Sequence, residues 1–299
     1  MLDSVARLDV DGVVDMVEPS SASFPLTGHH RVLRLDEHPD GRRAWFAGLW
    51  AHREVLDVLA RKDFQTRYKR ATFGLAWAVA VPTLQAAVMA VVFSRVIALG
   101  TDRHFAVYVM SGVVAYSYFS VVTLSTTTAI VDGAGLTDKV WFPRVLLIIV
   151  PCLSNLVGFA VTLVVLVAVM PFFGLGLGLH VLFILPATAL LVAFCLGLGM
   201  VLGALDVYFR DVKFLVQAAL LVCIYLTPIL YPQHVVGPIG PWLDLNPLTG
   251  IVVLFHMATI GSGGPWVRPV TVSVLITAAL LVVGAEVQRR HDRLFVDQL

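Results

Sequence analysis

Asp63 and Arg67 stand four residues apart in the run Trp50 to Arg70, and a helical wheel places both on that run's apolar face. A carboxylate and a guanidinium at this spacing can pair. A pair withdrawn from water persists where other groups hydrogen-bond to it at a junction. It can therefore serve as a brace between elements or as a contact that receives motion, and the sequence leaves both open. A second concentration of polar chemistry comprises Tyr108, Ser111, Tyr116, Ser117, Tyr118, Phe119, Ser120, Thr123 and the run Ser125 to Thr128. Hydroxyls bond across helices, and aromatic rings settle at lipid headgroups, so one reading is interhelical packing. The other is a path lined by groups that stack on sugars and hydrogen-bond to them.

Groups suited to catalysis are scattered. His104, His180, His234 and His256 are isolated in sequence, and Cys152, Cys195 and Cys223 lie in apolar segments without metal or redox spacing. No GxxxxGK followed by Ser or Thr occurs, so the chain has no phosphate cradle for hydrolysing ATP. The apolar runs carry no ionisable residue in their interiors, which removes the usual means of coupling to an ion gradient. The expectation is a non-enzyme with no metal and no cofactor of its own, driven by energy from elsewhere.

The elements that must position these residues belong to a bilayer. Between Arg144 and Asp206 lie 61 residues without Asp, Glu, Lys or Arg, and 58% of the chain is hydrophobic against 14% charged. A span takes roughly 20 apolar residues, so that stretch holds two, split into a hairpin near Pro171, Gly174, Gly176 and Gly178. Ala71 to Ser94, His104 to Val131, Phe214 to about Tyr231 and Pro269 to about Val287 supply four more. Asn246 to Ile260 opens with Asn before Pro, a good helix start, but at about 22 Å it is short for a span. With six spans, 18 of the 21 Lys and Arg fall on one side, and only Arg95, Arg103 and Arg268 on the other. The positive-inside rule then places both termini in the cytosol. Pro232 to Gly264 becomes an outer re-entrant segment, tolerated only where protein or a wet cavity shields it.

The predicted organisation is a disordered cytosolic tail over 1–44, an amphipathic interface helix over 45–70 and a six-span domain over 71–299. The fold class is all-α integral membrane, with re-entrant outer helices between spans five and six. No apolar signal region is read in Met1 to Arg43. On the interface helix, Leu49, Leu56, Leu59, Ala60 and Phe64 share a face expected to lie along the membrane. Two short inner loops, Asp132 to Arg144 and Asp206 to Lys213, are expected to act as rigid handles.

Several motifs occur in an order that resembles the permease subunits of type-two ATP-binding-cassette exporters, the branch exporting lipid-linked polysaccharides such as O-antigens and teichoic acids. Asp63, Arg67, Tyr68 and Lys69, followed by Gly74, Leu75, Trp77 and Pro82, are similar to that family's surface helix entering its first span. Lys139, Trp141, Phe142, Pro143 and Arg144 resemble its first inner loop, and Tyr208, Phe209, Arg210 and Asp211 its second. Thr227, Pro228 and Tyr231 resemble the end of the fifth span, and Leu245, Asn246, Pro247 and Leu248 the outer re-entrant element. The likeness covers roughly residues 45 to 299. It departs at Thr72, Phe73 and Gly74, where the family has Ser-x-Leu-Gly.

The resemblance implies a homodimer of permeases in the plasma (inner) membrane, working with two ATP-binding-cassette subunits that supply ATP and Mg. It implies lipid-linked glycan as cargo, with membrane lipid as surroundings and no nucleic acid. Asp63, Arg67, Lys69, Lys139, Arg144, Arg210 and Asp211 would couple to the ATPase, and Tyr231, Asn246 and Pro247 would gate the outer end. Trp77, Tyr108, Tyr116, Tyr118, Phe119 and Thr123 are the candidate channel lining. Export of a smaller lipid or drug, and a non-transporting enzyme or scaffold of glycan assembly, are the alternative readings.

Overall fold

The computed structural model describes residues 48–68, 74, 76–93, 104–137, 142–231, 237, 240–261 and 264–291. The tail expected over 1–44 lies outside them, as do Lys69 and Lys139. Every regular element among the described residues is helical. The principal ones are α1 (Arg53–Tyr68), α2 (Ala76–Val91), α3 (Phe105–Asp132), α4 (Val145–Val169), α5 (Ile184–Tyr208), α6 (Val212–Leu226), α7 (Pro247–Ile260) and α8 (Val267–His291).

Length and composition divide the apolar helices into two groups. Helices α3, α4, α5 and α8 are each long and apolar enough to cross a membrane; α2, α6 and α7 are shorter. Between α4 and α5 the chain turns through two short 3-10 segments, Met170–Phe173 and Leu179–Phe183. Gly174 closes the first at φ +81°, a left-handed backbone that a residue without Cβ adopts at little cost. The glycines that marked the hairpin in the sequence thus sit in the turn itself.

Helix α3 is the axle. It packs against α2, α4, α5, α6 and α7, and more than half of its 28 residues are buried. Helix α8 runs along α5, where Gly197 and Gly284 let the backbones approach: a Cβ at Gly197 would come within 2.9 Å of the Leu281 backbone nitrogen. Close approach between small residues is how helices gain van der Waals contact where lipid removes the hydrophobic drive between them.

Helices α6 and α7 are nearly equal in length but opposite in environment. Leu248 through His256 of α7 are all buried, against α3, α5 and α8, whereas α6 buries only Val216 and Ile224. The apolar face of α1, expected to meet the membrane, is packed on protein. Leu49, Val55, Leu56 and Leu59 cover Phe142, Leu146 and Leu147 at the start of α4.

Candidate functional site

Two cavities lie along α3, between it and the pair α1/α4 at one end and α2/α4 at the other. One, of about 400 Å³, is lined among others by Arg67, Trp77, Gln85, Ser117, Ser120 and Asn155. The other, of about 320 Å³, is lined by Lys62, Asp63, Arg67, Ser125, Thr128 and Asp132 among others. Among the described residues, Arg67 is the one that lines both.

Arg67 is placed by its neighbours one turn back and across the junction. Its Nη2 is 3.4 Å from Asp63 Oδ2, the pair expected from the spacing. The same carboxylate oxygen accepts a hydrogen bond from the Ser154 hydroxyl on α4. This third group, which a shielded pair requires, was not singled out from the sequence. Its signal was there: Ser154, Asn155 and Thr162 are the polar residues of an otherwise apolar α4, spaced by two turns. Asn155 Nδ2 donates to Pro151 O at 2.7 Å, and the Thr162 hydroxyl donates to Ala78 O of α2 at 3.2 Å.

The aromatic candidates divide by exposure. Trp77 is 53% exposed and lines the larger cavity. Tyr116, Tyr118, Phe119 and Thr123 are buried within the chain. Tyr118 donates from its hydroxyl to Cys152 O of α4 at 2.9 Å, although its ring also borders the larger cavity. Tyr116 donates to Leu220 O of α6, and Phe119 stacks on Phe194 of α5. In the single chain these side chains tie α3 to its neighbours.

At the other end of α3 the residues named for the outer gate converge. After α6 the backbone leaves helical geometry at Thr227–Leu230, all four buried, so its freed carbonyls need donors. Tyr108 supplies one hydroxyl that reaches Pro228 O at 3.0 Å and Tyr231 O at 3.1 Å. Asn246 Nδ2 reaches Thr227 Oγ1 at 3.0 Å and Leu226 O at 3.3 Å, while its Oδ1 caps α7 by accepting from Leu248 N at 3.0 Å. Pro247 follows at the first helical position, and its carbonyl accepts from Ser273 of α8 at 2.5 Å. The Tyr108 ring stacks on His256, centroids 3.8 Å apart. Tyr231 closes the turn by donating to Tyr225 O at 2.8 Å.

The remaining coupling candidates differ in exposure. Arg144 is buried at the start of α4. Arg210 and Asp211 sit in the exposed turn between α5 and α6, beside Phe209 at 65% exposure. Buried Asp206 accepts from the Lys213 backbone nitrogen at 3.3 Å and so closes that turn. No group of three or more His, Cys, Asp or Glu able to hold a metal occurs among the described residues.

Over residues 54–259 the chain matches the family model described as ABC-2 type transporter. The chain belongs to the ABC-2 type transporter family. It is 25% identical over 202 residues to an O-antigen export system permease protein RfbA of Klebsiella pneumoniae, covering 67% of this chain and 78% of that one. It is 23% identical over 254 residues to the protein of the same name from Myxococcus xanthus, covering 84% and 97%. With four long apolar helices, this member of the family is a multi-pass membrane protein.

Proposed function

We propose that the chain is the permease subunit of an ATP-driven exporter that carries a lipid-linked polysaccharide of the cell envelope, an O-antigen, teichoic acid or similar glycan, outward across the plasma membrane. The observation carrying this reading is the match, over nearly the whole length of the Myxococcus xanthus relative, to a protein named as an O-antigen export permease. The permease is non-catalytic and works as a homodimer with two ATP-binding-cassette subunits, which use the ATP and Mg.

The reading has six spans, with both termini cytoplasmic, and takes α2 and α6 as the cores of spans one and five. Helix α7 is the re-entrant element. The burial contrast supports this division, because a short helix at membrane depth is tolerated where protein shields it. The domain limits at 44 and 70 belong to the same reading.

On the cytosolic side, Asp63, Arg67, Lys69, Lys139, Arg144, Arg210 and Asp211 form or support the region that receives motion from the ATPase. The buried Arg144 acts through packing, and the exposed Phe209–Arg210–Asp211 turn acts by contact. The cargo path follows the groove side of α3, past Trp77 and the ring of Tyr118, toward Tyr108. Tyr116, Phe119 and Thr123 hold its wall. At the outer end Tyr231, Asn246 and Pro247 form the gate.

Reconstitution tests this. The chain co-purified with the ATPase encoded beside it, in vesicles loaded with lipid-linked glycan, is expected to move glycan across the bilayer only with hydrolysable ATP. A complex that assembles and hydrolyses ATP without moving the glycan would refute the cargo, and failure to recruit an ATPase would refute the exporter.

A further inference from the structure

Among the described residues, the larger cavity has a single charged lining residue, Arg67. Around it stand hydroxyl and amide groups of Ser117, Ser120, Asn155 and Gln85. Serine and threonine in helices commonly spend their hydroxyl on the carbonyl three or four residues back. On α3, Ser111, Ser120, Thr126 and Thr127 do so. Ser117, Ser125 and Thr128, which line the two cavities, make no such bond among the described residues. They lie two and three turns apart on one face.

The charge of Arg67 is only loosely engaged. Its partner Asp63 is 3.4 Å away, beyond the usual span of a charge-assisted hydrogen bond, and the contacting oxygen of Asp63 is shared with Ser154. A guanidinium has five N–H donors in a fork that matches phosphate oxygens. The Arg67 side chain keeps 32% of its surface open.

A third feature decides what kind of anion fits. Trp77 and Val81 line the cavity and open an exposed apolar stripe on α2 that continues through Leu84 and Val88 at helical spacing. A free ion has no use for such a stripe, whereas an amphiphile has.

We propose that Arg67 holds the phosphate headgroup of the lipid-linked cargo at the mouth of the larger cavity, with its lipid tail along the Trp77, Val81, Leu84 and Val88 stripe. The unbonded hydroxyl of Ser117 donates to the headgroup from α3. The headgroup draws the guanidinium away from Asp63, which Ser154 keeps fixed, so that loading is a competition between cargo phosphate and an internal carboxylate. This rests on the export reading above and adds to it the chemical group by which the cargo is first gripped.

The test measures binding to the permease–ATPase complex in lipid nanodiscs. The probes are a labelled polyprenyl diphosphate, the corresponding polyprenol and inorganic pyrophosphate. The wild type is expected to bind polyprenyl diphosphate at least about tenfold more tightly than polyprenol, with Arg67→Gln erasing that preference and Arg67→Lys keeping part of it. Asp63→Asn is expected to tighten binding, and Ser117→Ala, which leaves the Arg67 junction untouched, to weaken it by about threefold. A wild-type preference in Arg67→Gln, weaker binding in Asp63→Asn, or unchanged binding in Ser117→Ala would overturn the proposal. Displacement of the lipid by pyrophosphate at equal concentration would do so too. If Arg67→Gln does not assemble, Arg67→Lys and Ser117→Ala carry the test. ATP-dependent export by the wild type alongside any of those results would leave the export reading standing while this one fell.

Discussion

The amide nitrogen of Asn246 lies 3.0 Å from the hydroxyl of Thr227, so the residue that caps α7 also holds the end of α6. One side chain therefore serves two helices of similar length, one buried and one largely exposed. Replacing Asn246 by Ala removes both the cap and the tie and is expected to cost about 1–2 kcal/mol. Asn246→Ser keeps a capping oxygen but does not reach Thr227, so its loss should be smaller; that loss measures the tie, and the difference between the two variants isolates the cap. Thermal unfolding of the detergent-purified protein, followed by loss of monodisperse material, measures both; equal losses would mean that only the tie to Thr227 matters.

Ser154 makes a parallel case at the other end of the groove. Ser154→Ala leaves Asp63 with Arg67 and the apolar packing of α1 on α4 in place but removes the hydrogen bond between the two helices, and a lost hydrogen bond to a charged group costs about 1.5–3 kcal/mol. Asp63→Ala should cost at least as much, because it also strands the guanidinium beside a partly covered surface. In the combined variant, losses that fail to add would show that the two residues act as one brace. Additive losses would show that they do not.

How far this was legible in the sequence depends on range. The hairpin at Pro171 to Gly178, the cap at Asn246 and Pro247, and the Asp63–Arg67 pair are local matters of turn chemistry and spacing, and each stands where the residues placed it. Long-range partners were not legible. The hydroxyls of Tyr108, Tyr116 and Tyr118 read equally well as a sugar path or as packing, because a sequence does not say which distant carbonyl lacks a donor. Length set Phe214 to Tyr231 apart from Asn246 to Ile260 in the sequence, yet α6 and α7 are nearly equal in length and differ in burial, which depends on their neighbours. The apolar face of α1 was read as membrane-facing because periodicity reveals a hydrophobic side without revealing what covers it.

That ambiguity yields its own test. Tyr118→Phe keeps the ring beside the cavity and removes the hydroxyl that donates to Cys152 O. Interhelical hydrogen bonds in membranes are worth about 0.6 kcal/mol on average and up to about 1.7. A pure tie predicts a loss of stability in that range, with export per folded complex unchanged. A hydroxyl that contacts cargo predicts the reverse, and quantifying export against folded complex separates them.

Packing at the crossing of α7 and α8 admits less tolerance. A Cβ at Gly250 would overlap the Pro269 carbonyl and the Ser273 hydroxyl, and the carbonyl is backbone that cannot step aside. Gly250→Ala is expected to lose 1–3 kcal/mol or more, seen as low yield of monodisperse protein, about as overpacked cores do. Gly176→Ala, in the open turn between α4 and α5 with nothing within 4 Å of its new methyl, should be recovered like the wild type. Similar yields for the two would mean that α7 and α8 can separate, as a mobile gate would allow.

The turn between α5 and α6 tests the lever without disturbing the conduit. Arg210 is exposed, and its side chain takes part in no hydrogen bond or ion pair among the described residues, so reversing its charge removes nothing that holds the chain together. The turn is set by Asp206 and the Lys213 backbone and survives the change. Arg210→Glu should therefore leave thermal stability within about 0.5 kcal/mol of the wild type. At a docking surface, a like charge set against a partner that met a cation typically weakens association, here by an expected tenfold or so. Co-purification of the ATPase at graded salt concentrations reads it out: the deficit should be largest at low ionic strength and narrow as salt screens the charge. An ATPase retained at wild-type affinity across that series would place the contact elsewhere on the inner face.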